Sequence, residues 1–496
     1  MKKTKINLVP NIQNPSPDYY CTWQTQLYAT NDGKPEGQRA MMGETAIFAK
    51  EKPFGWAYFY EKARNDLIFV MDDSWDVPID NDLAYSGSLI LNNEKFPNAV
   101  NTSVDNVGAM KKLANSIKSI GWKGIGGWVC AQESSKFIGD KNQEDYWIQR
   151  LIEAEQSGFS YWKVDWGKSD KSFIFRNMLT ELGRKYAPNL VIEHAMIPEI
   201  IPYTDVFRTY DVPAIASIPM TLEKISLLST VSNLQKDGLS LINCEDEAYI
   251  SAACGLTMGI MRHPYSGRFL NGKCDMSFPD IHRNIKTKMF EVVRAVRWHR
   301  IAPAFAFDGK QLEFSKELLY DTWEFQKPEE EIEDWWLGHP LIMNSYLNGI
   351  LMKSAHAVIA RNTSLPEVVP DDDGQKPFIV ASKNPNGAYS IATLGRTIGR
   401  RYYIPKCDVT VEVGDSEIIG VFGEYNKLTI KTKNNDIRRV LLQDLASDFS
   451  YDISNFVEIK HGKIVIDGEL ISKIGTEAQS NDDTSEPGVV LFIEKG

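Results

Sequence analysis

Acidic side chains recur in this sequence at the points where short apolar runs end. The polar residues at these points are Asp72, Asp73, Lys163, Asp165, Glu193, His194, Arg208, Asp211, Glu245, Asp246 and Glu247. Tryptophans stand among them, at positions 23, 75, 128 and 166. Two carboxylates can cleave a glycosidic bond, because one attacks or stabilises the anomeric carbon while the other protonates the leaving oxygen. Acids at one rim with aromatic walls would suit that chemistry.

The same acids also have a purely structural explanation. An Asp at a strand end often caps the next helix, and Lys163 with Asp165 would make an ordinary ion pair. For any one of these acids a structural role and a catalytic role are equally expected. Acids at several successive strand ends, however, favour an active site. His194 and His263 are more typical of structural histidines, no G-x-S-x-G indicates a serine hydrolase, and no metal-ligand spacing is present.

These residues can meet only if the strands before them end on one rim. Between about residues 18 and 264, apolar runs alternate with amphipathic helical segments, which predicts repeated strand–helix units. The predicted strands are 19–23, 67–71, 124–129, 159–165, 190–194, 206–208, 239–244 and one within 256–261, and the predicted helices include 104–120, 145–157, 172–186 and 221–235. Eight units favour a closed barrel over an open doubly wound sheet, and no G-x-G-x-x-G follows the first strand. In such a barrel the active site lies at the C-terminal strand ends.

The pattern changes beyond the predicted barrel strands. Residues 265–345 are predicted to form further helices and connections, including a helix at 283–300. From about 346, short alternating segments separated by turns predict an antiparallel β-domain. The predicted fold is therefore α/β: an N-terminal extension (1–17), a (β/α)8 TIM barrel (18–345) and a C-terminal antiparallel β-sandwich (346–496).

Composition limits the partners. The chain has 496 residues and a formal net charge of −11, which argues against a nucleic-acid partner. Its six cysteines form no C-x-x-C pair, so neither a zinc site nor a disulfide framework is indicated. No apolar stretch is long enough to cross a membrane, so no membrane partner is predicted. The sequence as written shows no leader, which predicts a cytoplasmic protein, or a periplasmic one if a leader was removed. The oligomeric state stays open, a homo-oligomer included.

Several passages between about residues 18 and 235 resemble, in matching order, the α-galactosidase (melibiase-type) clan of retaining glycoside hydrolases. They are Asp72-Asp73-Ser74-Trp75, similar to the clan's Asp-Asp-Cys/Gly-Trp; Glu94-Lys95-Phe96-Pro97 with 120–125, similar to its passage into strand three; Tyr161-Trp162-Lys163-Val164-Asp165, similar to its Tyr-x-Lys-x-Asp; Phe207-Arg208-Thr209-Tyr210-Asp211, similar to its passage after strand six; and Tyr20-Cys21-Thr22-Trp23, similar to the opening of its barrel. Ser74 departs from the clan's frequent cysteine, and the segment 193–196 departs from its specificity loop.

The resemblance implies roles for the site residues. Asp165 would be the nucleophile and Asp211 the acid/base, so the pKa of Asp165 should be depressed beside Lys163, whereas that of Asp211 should be raised. The predicted substrate-binding residues are Trp23, Asp72, Asp73, Trp128, Lys163, Glu193 and Arg208, with Asp72 and Asp73 on sugar hydroxyls. No cofactor or metal is required.

The implied activity is retaining hydrolysis of terminal α-galactosides, and its partner is a glycoside or oligosaccharide. Three alternatives stay open. The same residues would serve another glycone, such as a β-L-arabinopyranoside, an α-N-acetylgalactosaminide or an α-glucan. They would also serve transglycosylation, and a non-catalytic carbohydrate-binding protein would keep the same barrel.

Overall fold

A closed barrel of eight parallel strands forms the first part of the chain. The computed structural model describes residues 1–30, 35–209, 217–232, 238–262, 264, 285–324, 350–371, 373–399 and 401–496. The barrel strands are Tyr19–Cys21 (β1), Ile68–Met71 (β2), Gly124–Val129 (β3), Tyr161–Val164 (β4), Val191–His194 (β5), Val206–Arg208 (β6), Leu241–Glu245 (β7) and Thr257–Ile260 (β8). β1 pairs in parallel with both β2 and β8, and this closes the barrel. The predicted TIM barrel is confirmed.

Helices connect these strands. They are Trp23–Thr30 (α1), Pro35–Met41 (α2), Glu44–Phe48 (α3), Pro97–Asn101 (α4), Asn106–Ser119 (α5), Gln143–Ser157 (α6), Phe173–Tyr186 (α7), Ser217–Leu227 (α8), Ala248–Cys254 (α9) and Met289–His299 (α10). Asp105, Asn142 and Ser172 cap α5, α6 and α7 by accepting from a backbone N–H of the first turn. The predicted strand at 19–23 ends at Cys21 because Trp23 begins α1. The predicted helix at 221–235 begins four residues earlier and gives way to a 3-10 turn at Leu228–Thr230.

The barrel interior has an apolar floor and, nearer the C-terminal rim, a layer of polar side chains. Residues two apart on a strand share a face, so Tyr161, Lys163 and the following Asp165 lie on one side of β4. The floor includes Tyr19, Ile68, Tyr161, Val206 and Leu241. One step nearer the C-terminal rim, Lys163 pairs in register with Glu193, and Arg208 with Asn243. The register of neighbouring strands thus brings these polar residues to the same height in the barrel.

Two glycines make room for the tyrosines of the floor. A Cβ on Gly126 would come within 2.7 Å of the Tyr161 side chain, and a Cβ on Gly259 would come within 2.7 Å of the Tyr19 ring. Both distances are too short for any side chain, so the close approach requires glycine at these two positions of β3 and β8.

The C-terminal part is a β-sandwich, as predicted. A nine-stranded sheet runs in the order Lys2–Lys3, Tyr451–Asp452, Ile437–Asp444, Gly488–Lys495, Ile418–Phe422, Tyr389–Leu394, Phe378–Lys383, Val358–Arg361 and Leu312–Phe314, and a five-stranded sheet in the order Glu367–Val369, Asp408–Gly414, Lys427–Thr432, Lys463–Asp467 and Glu458–Lys460. Strand pairs Leu318–Glu324 with Ile350–His356 and Arg396–Ile398 with Arg401–Tyr403, and helix Gly468–Gly475 (α11), complete it. The two large sheets share an apolar core. Three of the pairings are parallel, whereas the prediction was an antiparallel domain.

The two parts of the molecule interlock. Strand Leu312–Phe314 joins the nine-stranded sheet and Leu318–Glu324 pairs with Ile350–His356, so the prediction of helices and connections for 265–345 is wrong at these two strands. The buried ion pair of Arg294 on α10 with Asp444, 3.0 Å apart, ties the barrel side to that sheet. The boundaries at 17 and 345 stay predictions. None of the helices in the described parts of the chain combines the length and the apolar composition that a membrane crossing needs.

Candidate active site

Asp165 follows β4 at the C-terminal rim, and its side chain is 15% exposed. Its Oδ1 accepts from Arg208 Nη2 at 2.8 Å, and its Oδ2 accepts from Trp128 Nε1 at 3.1 Å. Burial alone would raise the pKa of Asp165, but the Arg208 and Lys163 cations and the Trp128 hydrogen bond lower it below its ordinary value. The predicted direction is confirmed, with Arg208 contributing more than Lys163. Asp165 is thus a fixed carboxylate with a lowered pKa and a partly exposed side chain.

Arg208 is the centre of a buried group of carboxylates. Besides Asp165 it reaches Glu245 through Nη1 at 3.1 Å and Glu193 through Nε at 3.5 Å. The guanidinium is 1% exposed, and the two glutamates are 0% and 2% exposed. Three nitrogens therefore hold three carboxylates in different directions, which fixes the guanidinium that holds Asp165. Glu245 was visible in the sequence as an acid after strand seven, but nothing there assigned it to Arg208.

Glu193 lies below Arg208, away from solvent. Its carboxylate accepts from the Tyr161 hydroxyl at 2.8 Å, from Asn243 at 2.9 Å and from the Tyr19 hydroxyl at 3.3 Å. Burial raises the pKa of Glu193, and the Arg208 charge offsets part of that rise. In the structure the Glu193 carboxylate faces Arg208. The predicted contact of Glu193 with substrate stays a prediction.

Lys163 forms its ion pair with Asp72 rather than with Asp165. Its Nζ lies 2.7 Å from Asp72 Oδ2, which also accepts from the Cys21 thiol at 2.8 Å. Burial favours the neutral amine, but Asp72 outweighs it and raises the pKa of Lys163 well above its ordinary value. Burial, together with Asp72, raises the pKa of the Cys21 thiol, so the thiol keeps its proton and donates. This corner of the site is a buried ion pair.

Asp73 is occupied by protein donors. Its Oδ2 accepts from Arg39 Nε at 2.9 Å and its Oδ1 from the Ser74 hydroxyl at 2.7 Å. Burial raises the pKa of Asp73, and Arg39 works against that rise. Arg39 comes from α2, between β1 and β2, and the sequence analysis missed it because no motif surrounds it. Asp72 and Asp73, adjacent in sequence, therefore belong to two separate ion pairs.

The four tryptophans named from the sequence differ in their burial and in their contacts. Trp166 is half-buried beside Asp165, and its ring centre lies 5.3 Å from that of Trp128. Trp128 is buried and donates to Asp165. Trp75 is fully buried, donates to the Trp128 carbonyl and packs on Phe159, while Trp23 is 7% exposed within the interior cluster. Trp166 is the one of these four residues that is not buried.

Several polar residues named from the sequence are structural. His194 is buried against Arg176 and Thr180, and burial, with the Arg176 charge, lowers its pKa well below the ordinary value. Asp246 accepts from the backbone of Met261 and Arg262. Glu247 accepts from Ser217. Within the described ranges, no cluster of three His, Cys, Asp or Glu side chains could hold a metal ion.

Asp211, the predicted acid/base, lies outside the described residues, as does His263. β6 ends at Arg208, and the described chain resumes at Ser217 on α8. The role of Asp211 therefore stays a prediction from the sequence.

No protein-family model matches the sequence, and no curated protein matches it. Among solved structures, the chain is similar to a variant of a GH27 β-L-arabinopyranosidase from Geobacillus stearothermophilus in complex with arabinose (9% identity over 97% of this chain and 98% of that one, TM-score 0.43). It is also similar to a GH36 α-galactosidase from the same organism (13% identity over 61% and 44%, TM-score 0.36) and to a cyclomaltodextrinase (8% identity over 99% and 76%, TM-score 0.40). Identities and TM-scores this low assign no function to the chain.

Proposed function

We propose that this protein is a retaining glycoside hydrolase that cleaves terminal α-galactosides. The observation that carries the proposal is the state of Asp165. It is a carboxylate with a lowered pKa, fixed by Arg208 and Trp128 at the C-terminal rim of a closed barrel and still 15% exposed. A nucleophile in a double displacement needs those properties.

The proposed reaction has two steps. In the first, an oxygen of Asp165 bonds to the anomeric carbon as the bond to the aglycone oxygen breaks, and Asp211 gives its proton to that oxygen. In the second, Asp211 takes a proton from water, the water oxygen bonds to the anomeric carbon, and the ester to Asp165 breaks. Two inversions at one carbon return the starting configuration.

The surrounding residues support a sugar ring beside Asp165. Trp166 is a half-buried aromatic residue next to the nucleophile, and aromatic rings suit the C–H faces of sugars. The ion pair of Lys163 with Asp72 supplies polar groups within the same rim. The α-galactoside as substrate follows from the resemblance of the sequence motifs to the α-galactosidase clan.

A panel of nitrophenyl glycosides tests the proposal. The expected result is fastest release from the α-galactoside, compared with the β-L-arabinopyranoside, the α-N-acetylgalactosaminide and the α-glucoside, with the α-anomer of galactose as the first product seen by NMR. Asp165→Asn should lose several orders of magnitude in kcat. Asp205→Asn is the matched control, since Asp205 accepts from the Ile192 N–H at the opposite end of the strands.

Each outcome discriminates between the alternatives. Fastest release from another glycone would keep the mechanism and change the substrate. A first product of inverted configuration would contradict the double displacement. Binding of galactose without release from any of the four glycosides would indicate a carbohydrate-binding protein instead.

A further inference from the structure

Arg39 brings an additional cation into the candidate active site. It lies on α2, its Nε donates to Asp73 Oδ2 at 2.9 Å, and its guanidinium carbon lies 5.4 Å from the centre of the Trp166 ring. Trp166 follows Asp165 directly in the sequence. Arg39 is thereby held between the Asp73 corner of the site and the aromatic residue beside the proposed nucleophile.

The donors of Arg39 are only partly used. A guanidinium carries five N–H donors, one on Nε and four on the two Nη atoms. Within the described parts of the chain, neither Nη of Arg39 donates to a protein acceptor, and the side chain is 15% exposed. The backbone carbonyl of Arg39 accepts from Lys95 Nζ at 3.0 Å, which holds the end of α2 against the loop after β2. In the parts of the chain that the structure describes, four donors on an anchored, partly exposed side chain therefore have no protein acceptor.

Asp73 is too buried to be the first contact of a ligand at this corner. Its two oxygens are taken by Arg39 and Ser74, and its side chain is 3% exposed. A ligand that approaches here meets N–H donors, and therefore needs an oxygen acceptor.

Charge decides what kind of acceptor fits. Arg39, Lys163 and Arg208 already have the carboxylate partners Asp73, Asp72 and Asp165. Glu193 and Glu245 add two further carboxylates around Arg208, so an anionic group would meet these three cations already compensated. A neutral hydroxyl oxygen accepts an N–H without needing an uncompensated cation.

We propose that Arg39 is a substrate-binding residue that donates from Nη to one hydroxyl oxygen of the glycone and so makes the enzyme specific for that hydroxyl. This inference rests on the proposed function, and it adds a contact from a segment outside all the motifs that suggested that function. In this proposal, the role of Asp73 is to hold the Arg39 side chain in position.

A hydroxyl-deletion experiment tests it. The values of kcat/KM are measured for the parent nitrophenyl glycoside that the wild type hydrolyses best and for its monodeoxy analogues, one for each free hydroxyl. Wild type should lose about tenfold or more on the analogue that lacks the partner of Arg39, since a donor is left unpaired. Arg39→Gln should be slower on the parent and should show no further loss, less than about twofold, on that one analogue.

Two further variants keep the result interpretable. Arg39→Lys preserves the charge beside Asp73 but not the paired Nη donors, so it should also lose the selective penalty even if Arg39→Gln folds poorly. Arg297→Gln is the matched control, because Arg297 on α10 is 14% exposed and pairs with Asp448 outside the site. It should keep every wild-type penalty.

Three results would overturn the inference. If Arg39→Gln and Arg39→Lys both keep the full set of wild-type deletion penalties, Arg39 has only a structural role. If the wild type prefers the matching uronide, and only the Arg39 variants lose that preference, the ligand is an anion rather than a hydroxyl. If the wild type hydrolyses none of the parent glycosides, the proposed function itself fails and this inference fails with it; wild-type data alone identify that case.

Discussion

Replacing Arg208 by methionine should destabilise the protein, and more at pH 8 than at pH 5. Methionine keeps much of the length and none of the charge. It leaves Glu193 and Glu245, which are 0% and 2% exposed, without the guanidinium that lies 3.5 and 3.1 Å from them. Removing one partner of a buried ion pair costs about 3–5 kcal/mol, because the other charge stays buried without compensation.

The pH dependence follows from linkage. A glutamate whose pKa is raised in the folded state makes folding less favourable at every pH above its unfolded pKa of about 4.3. Burial already raises the pKa of Glu193, and loss of Arg208 removes the main influence that lowers it. The penalty is therefore full at high pH and shrinks as falling pH protonates the folded state. Adding Glu193→Gln should return at least about 1 kcal/mol at pH 8.

Urea unfolding at pH 5 and pH 8 measures these differences for the wild type, Arg208→Met and the double variant. Arg150→Met is the control, since Arg150 is also buried but pairs with one partly exposed carboxylate, that of Glu153. It should cost less and nearly the same at both pH values. An equal loss for Arg208→Met at both pH values, with no recovery in the double variant, would refute the buried-carboxylate account of Arg208.

Three further predictions concern catalysis. Asp72→Ala and Asp73→Ala should each lower kcat/KM by about 5- to 150-fold (~1–3 kcal/mol), because each leaves a cation, Lys163 or Arg39, without its carboxylate; unchanged kcat/KM would leave them only a structural role. Trp128→Phe should move the acidic limb of the pH profile of kcat/KM to higher pH, because the Trp128 hydrogen bond helps to hold the pKa of Asp165 low. The same shift in the control variant Trp162→Phe would contradict this reasoning. Asp211→Ala should slow an activated nitrophenyl glycoside far less than a natural disaccharide in the first step, and azide should restore turnover; equal losses without azide rescue would assign the acid/base elsewhere.

The barrel could be predicted because each of its strands is a short buried run bounded by helical periodicity. β3 and β6 have the predicted bounds, and the acids that follow the strands were found by position alone. Strands Leu312–Phe314 and Leu318–Glu324 were missed. The first is too short to establish a period, the second does not alternate strictly between apolar and polar residues, and their partner strands lie at 358–361 and 350–356. Local patterns do not find a short or irregular strand that depends on pairing with a later one.

The site could be predicted as a set of residues but not as a set of pairs. Lys163 and Asp165 are two apart and share a face, yet Lys163 pairs with Asp72, which follows β2 and is 91 residues away. Arg208 contacts Glu245 across the neighbouring strands β6 and β7. Arg39 carried no signal, since it lies on a seven-residue helix in a connection without a motif. Tertiary proximity decides which charges compensate each other, and sequence spacing does not contain it.

The most direct test of the central claim is to trap the covalent intermediate. A fluorinated α-galactosyl fluoride, or the corresponding fluoride of the best glycone, forms the glycosyl-enzyme and hydrolyses slowly, so peptide mass spectrometry can locate the ester. We predict one sugar per chain, on the peptide that carries Asp165, and no label on Asp165→Asn. A label on another carboxylate, or turnover of the natural substrate with no trapped ester at any residue, would contradict Asp165 as the nucleophile.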